Sequence, residues 1–288
     1  RDRSVSRGLG DVYKRQGSNP APSVMADLLV SVEEKLTAKS ITSVEGIQDQ
    51  VEQTLMEQGF FTEAKNYILY RQKRSLLRDA RAALCEAASD PALEFVFRNI
   101  QKDFPGEEYS LLHLSAKYNT FCKPEMKTEE KLTALIKAAV ELTTQEAPDW
   151  EFIAARLLNF QLSKKLEKQA ASAGIRSFYD KLRYLTEEGL YGSYILAAYS
   201  QQEIEEAAGF ICPDRDKLFN YSGLDLLVKR YLIRTRLHEP AESVQEMYLG
   251  IALHLAMPEQ KERMTWVKKF YDLLSRLEVT MATPTLSN

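Results

Sequence analysis

The sequence predicts a mainly α-helical protein, and three observations lead to that prediction. Apolar residues recur every three or four positions over most of the chain, which is typical of amphipathic helices. The breaks between these segments carry helix-capping signals: Ser200 and Ser243 are each followed three positions later by a glutamate. Segments with the period of two that a β-strand requires are few and short.

Composition limits the size and the chemistry of the protein. The chain has 288 residues, of which 44% are hydrophobic, enough for two modest domains or one large one. A net charge of −3 with interspersed charges argues against a nucleic-acid-binding protein. No apolar run is long enough to cross a membrane. We therefore expect neither nucleic acid nor a membrane as a partner.

Cysteine and histidine usage points away from metal and disulfide chemistry. Cys85, Cys122 and Cys212 are far apart, without the paired spacing of a zinc site or a disulfide framework. The three histidines are equally scattered, which argues against a metal centre or a catalytic triad. These thiols are expected to be buried small hydrophobes, and their use fits a reducing, cytoplasmic location.

Residues 1–24 are predicted to be a non-native or disordered segment. Residues 1–16 are polar, have no apolar periodicity and lack a starting methionine, and they resemble translated adapter sequence. Residues 17–23 contain two prolines and read as a linker.

Residues 25–90 are predicted to form a first domain of helices. Leu28, Val32 and Leu36 share one helical face, and a second helix follows Ser43 and ends near Gly59. Thr62 is expected to cap a third helix, with an extension to Ala88 left open.

Residues 91–276 are predicted to form a second helical domain. The segment 93–104 could be strand or helix. One helix is expected from Thr128, and another from the turn at 147–149 to the basic pair at 164–165, which suits the helix dipole. Residues 230–236 are predicted to be a strand and turn.

Residues 277–288 are predicted to open another domain. Leu277, Val279 and Met281 alternate with polar residues as in a strand, and Pro284 would stop it. A strand without a partner is not stable, so we expect a longer protein in which the partner strands follow.

The helical segments of the first domain resemble an ATP-cone, the regulatory module that begins many ribonucleotide reductases. The resemblance lies in residues 47–52 (IQDQVE), 55–59 (LMEQG) and 64–74 (AKNYILYRQKR). It implies ATP and dATP as allosteric effectors. By their chemistry Lys73 and Arg74 are candidate phosphate contacts, although a solvated helix end that complements the dipole is the simpler explanation. The family's cone opens with a hairpin whose Lys-Arg-x-Gly turn holds phosphates. We expect this chain to lack that hairpin, so that residues 25–288 bind nucleotide weakly or not at all.

The second domain resembles the N-terminal helical domain of the ribonucleotide reductase large (alpha) subunit, class I-like. The motifs are at 147–150 (APDW), 154–158 (AARLL), 214–216 (DRD), 219–223 (FNYSG), 229–232 (KRYL), 239–240 (EP) and 245–248 (QEMY). The resemblance places Lys164 where some members contact a nucleotide phosphate, with a surface lysine as the alternative. The acidic residues of 214–216 are expected to fix a helix-entry turn.

The final segment, 281–288 (MATPTLSN), resembles the first strand of the family's catalytic α/β barrel. By that resemblance Thr283 contacts the substrate nucleotide. The family's radical and redox cysteines lie in the barrel, beyond this sequence, and none of the three cysteines here matches them. The fragment alone is therefore expected to be inactive, with no catalytic residue, no metal and no cofactor of its own.

The resemblance implies a ribonucleoside-diphosphate reductase that makes deoxyribonucleotides by radical reduction of the ribose 2′-hydroxyl. Its expected partners are a radical-generating small (beta) subunit, a second copy of the intact large subunit, and ribonucleoside diphosphates. Two alternatives stay open: an adenosylcobalamin-dependent reductase of the same family, or a non-catalytic helical regulatory or interaction module. The predicted strand favours a reductase, because an autonomous helical protein should not end on an unpaired strand.

Overall fold

The structure, a computed structural model, describes residues 22–123 and 125–286. The chain divides into two compact units, Arg1–Ala80 and Arg81–Asn288, which are described separately below. The predicted non-native segment 1–24 lies outside the described residues apart from positions 22–24, as do Ser287 and Asn288.

Unit 1 is built from helices α1 (Pro22–Ala38), α2 (Val44–Glu57) and the first part of α3 (Phe61–Ala88). The Ser43 hydroxyl accepts a hydrogen bond from the Gly46 amide at 3.1 Å and so caps α2. The third helix begins at Phe61, so Thr62 lies inside its first turn and is not its cap. The buried residues that form the core are Leu28, Val32, Val51, Leu55, Ala64 and Tyr67.

Helix α3 runs without a break to Ala88, and the boundary between the two units falls within it. The break after α3 has a local cause. Ser89 has a left-handed φ of 57°, and the Asp90 carboxylate accepts a hydrogen bond from the Ala92 amide at 2.9 Å. Lys73 therefore lies well inside α3 rather than at a helix end.

The first half of unit 2 contains α4 (Leu93–Asp103), α5 (Leu111–Phe121), α6 (Thr128–Glu141) and α7 (Trp150–Ala173). The segment whose type the sequence left open is thus helical. Leu93, Phe97 and Ile100 are spaced four and three apart and are buried, whereas Phe95 is exposed. Helix α7 continues past the predicted end at 164–165 and stops at Gly174, whose φ is 67°.

The second half of unit 2 contains α8 (Phe178–Glu187), α9 (Tyr194–Ala198), α10 (Gln201–Ala208), α11 (Tyr221–Arg230), α12 (Val244–Ala256) and α13 (Arg263–Ser275). Both predicted capping boxes form, at Ser200 with Glu203 and at Ser243 with Glu246. Helices α12 and α13 pack on each other, and α7 packs against α6 and α11. Together these helices bury one large apolar core.

The strand predicted over 230–236 is reduced to a single antiparallel bridge between Arg234 and Pro240. It is held by two backbone hydrogen bonds of 2.8 Å, from Thr235 to Glu239 and from Ala241 to Ile233. Arg230, the first residue of the predicted strand, is the last residue of α11. The residues that follow form a tight turn in which only one pair bridges.

The mainly α-helical fold class is confirmed, but the strand predicted over 277–281 does not form. Leu277 adopts a left-handed φ of 59°, and the Glu278 amide donates to the carbonyl of Leu273 at 3.0 Å, which turns the chain back on the end of α13. No strand lies beside this segment among residues 22–123 and 125–286, and an unpaired strand is unstable. A short helix, α14 (Thr283–Leu286), follows.

Candidate functional site

Unit 1 places two lysines over buried polar groups of α2. Gln50 and Thr54 are buried on this helix, and Thr54 donates to the carbonyl of Gln50 at 2.7 Å. The Lys39 ammonium donates to the Gln50 side-chain oxygen at 3.0 Å, and the Lys35 ammonium lies 3.4 Å from the Thr54 hydroxyl. Buried polar groups need such partners, so these contacts stabilise the packing of α1 on α2.

The basic residues of α3 are divided between two roles. Arg71 forms an ion pair with Asp49 of α2 and lies 3.8 Å from Glu52, so it ties α3 to α2. Arg74 lies 5.6 Å from the centre of the Tyr70 ring. Lys73 is at an exposed position of α3. Its exposure is compatible with a phosphate contact and equally with a solvated lysine.

Lys164 is engaged by its own unit. Its ammonium lies 3.8 Å from a carboxylate oxygen of Asp90 and 5.5 Å from the centre of the Phe160 ring. This position within α7, and not at a helix end, excludes the dipole explanation for the basic pair. The neighbouring Lys165 has no ion pair among the residues that the structure describes, a difference that the sequence did not indicate.

The motif at 214–216 is a junction between helices and not an acid–base pair. It lies in a 3₁₀ segment, Pro213–Leu218, which precedes α11. The Arg215 guanidinium donates to Asp272 at 2.7 Å and to the Ser275 hydroxyl at 2.5 Å, both on α13. It also lies 5.1 Å from the centre of the Tyr271 ring. Burial opposes ionisation of Asp272, yet hydrogen bonds from Lys268 and Arg215 hold its pKa below the usual value.

Asp216 extends this junction to two further helices. Its carboxylate accepts hydrogen bonds from Gln245 of α12 at 2.7 Å and from Asn159 of α7 at 3.1 Å. Gln245 in turn accepts from the Tyr271 hydroxyl at 2.6 Å. Burial raises the pKa of Asp216 despite the two hydrogen bonds. The motif therefore connects α7, α12 and α13 around one turn.

Glu242 is a second buried acid. It lies in the turn before α12, and one of its oxygens accepts a hydrogen bond from the Ile233 amide at 2.9 Å. Burial raises its pKa to about 8, and the charge of Glu246 adds to this effect while Lys181 opposes it. Lys181 itself is bound to Glu246 at 2.6 Å. The hydrogen bond from Ile233 ties Glu242 to the 233–242 turn.

Thr283 lies at the first position of α14, with an exposed side chain. Its hydroxyl is 3.1 Å from the hydroxyl of Tyr231, which follows the last residue of α11. The sequence singled out Thr283 but gave no role to Tyr231, although Tyr231 lies inside the motif at 229–232. The three candidate residues lie apart in the fold: Lys73 is in unit 1, while Lys164 and Thr283 belong to different helices of unit 2.

Within the described residues, no group of three side chains of the types that bind metals is close enough to hold an ion. Cys85, Cys122 and Cys212 are free thiols. The helices that the structure describes include none that is both long and apolar enough to cross a membrane.

Comparison with known proteins identifies both helical regions. A family model described as "ATP cone domain" matches residues 12–76, and one described as "Ribonucleotide reductase, all-alpha domain" matches residues 217–288. The first match begins within the segment predicted as non-native. It includes residues 14–17, Lys-Arg-Gln-Gly, which have the Lys-Arg-x-Gly order that we expected the chain to lack. These four residues lie outside the described part of the structure.

Curated relatives match the same regions and the segment between them. The "Ribonucleoside-diphosphate reductase subunit alpha" of Treponema pallidum (strain Nichols) is 50% identical over 271 residues, 93% of this chain and 32% of the relative. The protein of the same name from Chlamydia muridarum (strain MoPn / Nigg) is 31% identical over 91% of this chain and 27% of its own length. "Ribonucleoside-diphosphate reductase 1 subunit alpha" of Escherichia coli (strain K12) is 34% identical over 56% of this chain and 21% of its own length. The chain thus spans a third or less of the relatives it matches.

Proposed function

We propose that the chain belongs to the ribonucleotide reductase large-subunit family and functions as part of a ribonucleoside-diphosphate reductase. The substrates are ribonucleoside diphosphates, and the reaction replaces the ribose 2′-hydroxyl by hydrogen through a radical. The observation that carries the proposal is the 50% identity to the Treponema pallidum alpha subunit over 93% of this chain. Chance similarity between helical proteins does not extend over such a length.

We infer that residues 25–288 do not themselves carry out the reduction of the ribose. Cys85, Cys122 and Cys212 lie on or beside helices of unit 2 and are free thiols. We propose that the reacting cysteines lie in the part of the enzyme that corresponds to the unmatched length of the relatives. The chain alone is therefore expected to have no reductase activity.

Thr283 is the residue that we propose to contact substrate. Its side chain is exposed, and the hydrogen bond of 3.1 Å to Tyr231 restricts the orientation of its hydroxyl. A hydroxyl oriented in this way can donate to a phosphate or ribose oxygen of a bound diphosphate. Tyr231 then acts as a positioning residue for Thr283.

We propose that the intact alpha subunit works with a separate radical-generating beta subunit. We further propose that it forms a dimer and acts in the cytoplasm. The relatives are named as alpha subunits, which implies a partner subunit in those enzymes. Adenosylcobalamin in place of the partner is the alternative radical source. If the intact protein reduces a ribonucleoside diphosphate with adenosylcobalamin and without a beta subunit, the cobalamin is the radical source.

ATP and dATP are the proposed effectors of unit 1, with Lys73 as a phosphate contact, and Lys164 is the second candidate contact. The match of residues 12–76 to the ATP cone domain supports the first assignment. Calorimetry with dATP should show binding by residues 1–288 that weakens in Lys73→Ala, and little or no binding by residues 25–288. Submillimolar binding by residues 25–288 that disappears in Lys73→Ala would show that the helices suffice without the preceding segment.

Growth complementation tests the proposed function. The aligned segment of the Treponema pallidum alpha subunit is replaced by this chain, and the chimera is expressed with the beta subunit in bacteria depleted of their own reductase. We expect growth that is lost when the beta subunit is omitted. A chimera that accumulates in folded form but supports no growth would contradict the proposal.

A further inference from the structure

A cavity of about 510 Å³ lies within unit 2 between α6, α7, α11 and the turn at 234–240. Its apolar lining includes Ile136, Leu158 and Leu162, which are buried, and Pro240 of the turn. Tyr221 adds an aromatic ring at one side. Clefts of this volume, apolar with a few polar groups, are typical of sites for small molecules.

The cavity carries an excess of positive charge. Four cationic side chains and two carboxylates line it. Asp225, one of the carboxylates, is already paired with Lys229 at 2.7 Å. The other, Glu239, is exposed and accepts a hydrogen bond from Gln169 at 3.3 Å. With four cations against two carboxylates, the cavity keeps an excess of positive charge.

Lys165 and Arg234 are the two cations of the cavity on which the proposed binding depends. Among the residues that the structure describes, no carboxylate oxygen lies within ion-pair distance, 4.0 Å, of either of them. The Arg234 guanidinium is held in place by the carbonyl oxygens of Val228 and His238, at 2.6 and 2.5 Å. Carbonyl groups orient a guanidinium without cancelling its charge, and Arg234 is well suited to binding an oxyanion.

Lys165 is also the point at which this cavity meets two neighbours. The same residue lines adjoining cavities of about 610 and 990 Å³, so its side chain borders all three spaces. Lys164 faces elsewhere, towards Asp90 and Phe160. Successive residues of a helix point about 100° apart, which explains why adjacent lysines have different surroundings.

We propose that this cavity binds a small organic anion. Its apolar body would lie on the floor formed by α6 and α7, and its phosphate or carboxylate group would be held by Lys165 and Arg234. The site is separate from the nucleotide contacts proposed at Lys73 and Lys164 and from the substrate contact at Thr283. The proposal does not depend on reductase activity.

The test uses the complete 288-residue chain and the aromatic sulfonate 8-anilinonaphthalene-1-sulfonate as a fluorescent probe. Removal of the charge in Lys165→Met should weaken probe binding about tenfold or more, because a charge-assisted contact is lost. Lys117→Met is the control, because Lys117 lies on α5 and does not line the cavity. It should change the affinity less than about twofold, the usual scatter of surface substitutions. Lys165→Arg keeps the charge and should retain most of the binding.

Competition identifies the chemistry of the ligand. Phenyl phosphate should displace the probe at concentrations at which benzyl alcohol, which lacks the charge, and inorganic phosphate, which lacks the apolar body, do not. Benzoate is compared with phenyl phosphate as a competitor of the probe. Stronger displacement by benzoate indicates a carboxylate site, and stronger displacement by phenyl phosphate indicates a phosphate site. Equal probe affinity of the wild type and folded Lys165→Met, equal losses in Lys117→Met and Lys165→Met, or no advantage of the organic anions over benzyl alcohol would each overturn the proposal.

Discussion

At the scale of single residues, Thr283 carries the most direct link to the proposed chemistry. Its hydroxyl contacts Tyr231 and is exposed to a prospective ligand. Replacement by valine keeps the shape of the side chain and removes the hydroxyl. In the intact reductase we expect Thr283→Val to weaken substrate binding by about 1.5–3 kcal/mol, the cost of one hydrogen bond to a charged group. Turnover measured over a range of diphosphate concentrations should show this as a raised KM.

The control for this prediction is Thr283→Ser, which keeps the hydroxyl and should stay close to wild type. Tyr231→Phe removes only the positioning hydrogen bond and should have a smaller effect on KM than Thr283→Val. Kinetics of Thr283→Val that match wild type would show that the hydroxyl has no substrate role.

Glu242 gives unit 2 a predictable dependence on pH. Its pKa is raised to about 8 in the folded state, whereas a glutamate in an unfolded chain has a pKa of about 4.3. Between these values the unfolded chain has lost the proton and the folded protein keeps it. The contribution of Glu242 to stability is therefore complete below the unfolded pKa and is lost as pH rises to about 8. The slope is about 1.4 kcal/mol per pH unit at most.

Glu242→Gln removes this titration and keeps an oxygen that can accept the Ile233 hydrogen bond. We expect the variant to gain stability relative to wild type as pH rises from 5 to 8. Urea unfolding followed by tryptophan fluorescence measures this, because Trp150 and Trp266 both lie in unit 2. A difference between the two proteins that stays constant over this pH range would contradict a buried, protonated Glu242.

At the scale of elements, the turn before α11 depends on Arg215. This residue joins the 3₁₀ segment to α13 through Asp272 and Ser275, and both members of its ion pair are mostly buried. We expect Arg215→Met to lower the free energy of unfolding by about 1.5–3 kcal/mol, because a charged hydrogen bond is lost and Asp272 keeps its charge.

Lys229→Met is the matched control, since the exposed Lys229 forms an ion pair of the same length with Asp225 of α11. Its loss should change stability by less than about 1 kcal/mol. The same fluorescence assay in urea compares the two variants. Equal effects of the two substitutions would show that the junction at 214–216 adds nothing beyond a surface ion pair.

Local patterns were sufficient to predict most helices and caps. The capping boxes at Ser200 and Ser243 and the amphipathic faces of α1, α2 and α6 depend on neighbouring residues alone. The predicted end of α7 was wrong because a basic pair is typical of a helix terminus. The helix in fact ends at Gly174, which adopts the left-handed φ that terminates helices. The strand at 277–281 was wrong because alternation indicates a strand only where another strand can pair with it.

The candidate residues were less predictable than the helices. Whether Lys164 or Lys165 faces a cavity depends on which side of α7 is covered by other helices, which no local pattern contains. The hydrogen bond between Tyr231 and Thr283 joins residues far apart in the chain. Resemblance to a family selected positions in the sequence, and the packing of the helices determined what each side chain contacts.

At the scale of the whole molecule, the order of the two regions supports membership of one enzyme family. Residues matched by the ATP cone model precede those matched by the all-alpha domain model. The segment between them is matched by neither model, but a relative that aligns with 93% of this chain necessarily covers most of it. The terminal strand does not form and so cannot distinguish a reductase from an autonomous helical module, whereas this continuous similarity favours the reductase.

The most direct test of the central claim is the conversion of cytidine diphosphate to deoxycytidine diphosphate by a purified chimera. This chain replaces the aligned segment of the Treponema pallidum alpha subunit, and the assay contains the beta subunit and a reductant. We predict deoxycytidine diphosphate formation at no less than about a tenth of the parent rate, equivalent to an increase of about 1.4 kcal/mol or less in the activation free energy. This formation should be absent without the beta subunit. A folded, dimeric chimera that forms no deoxycytidine diphosphate would contradict it.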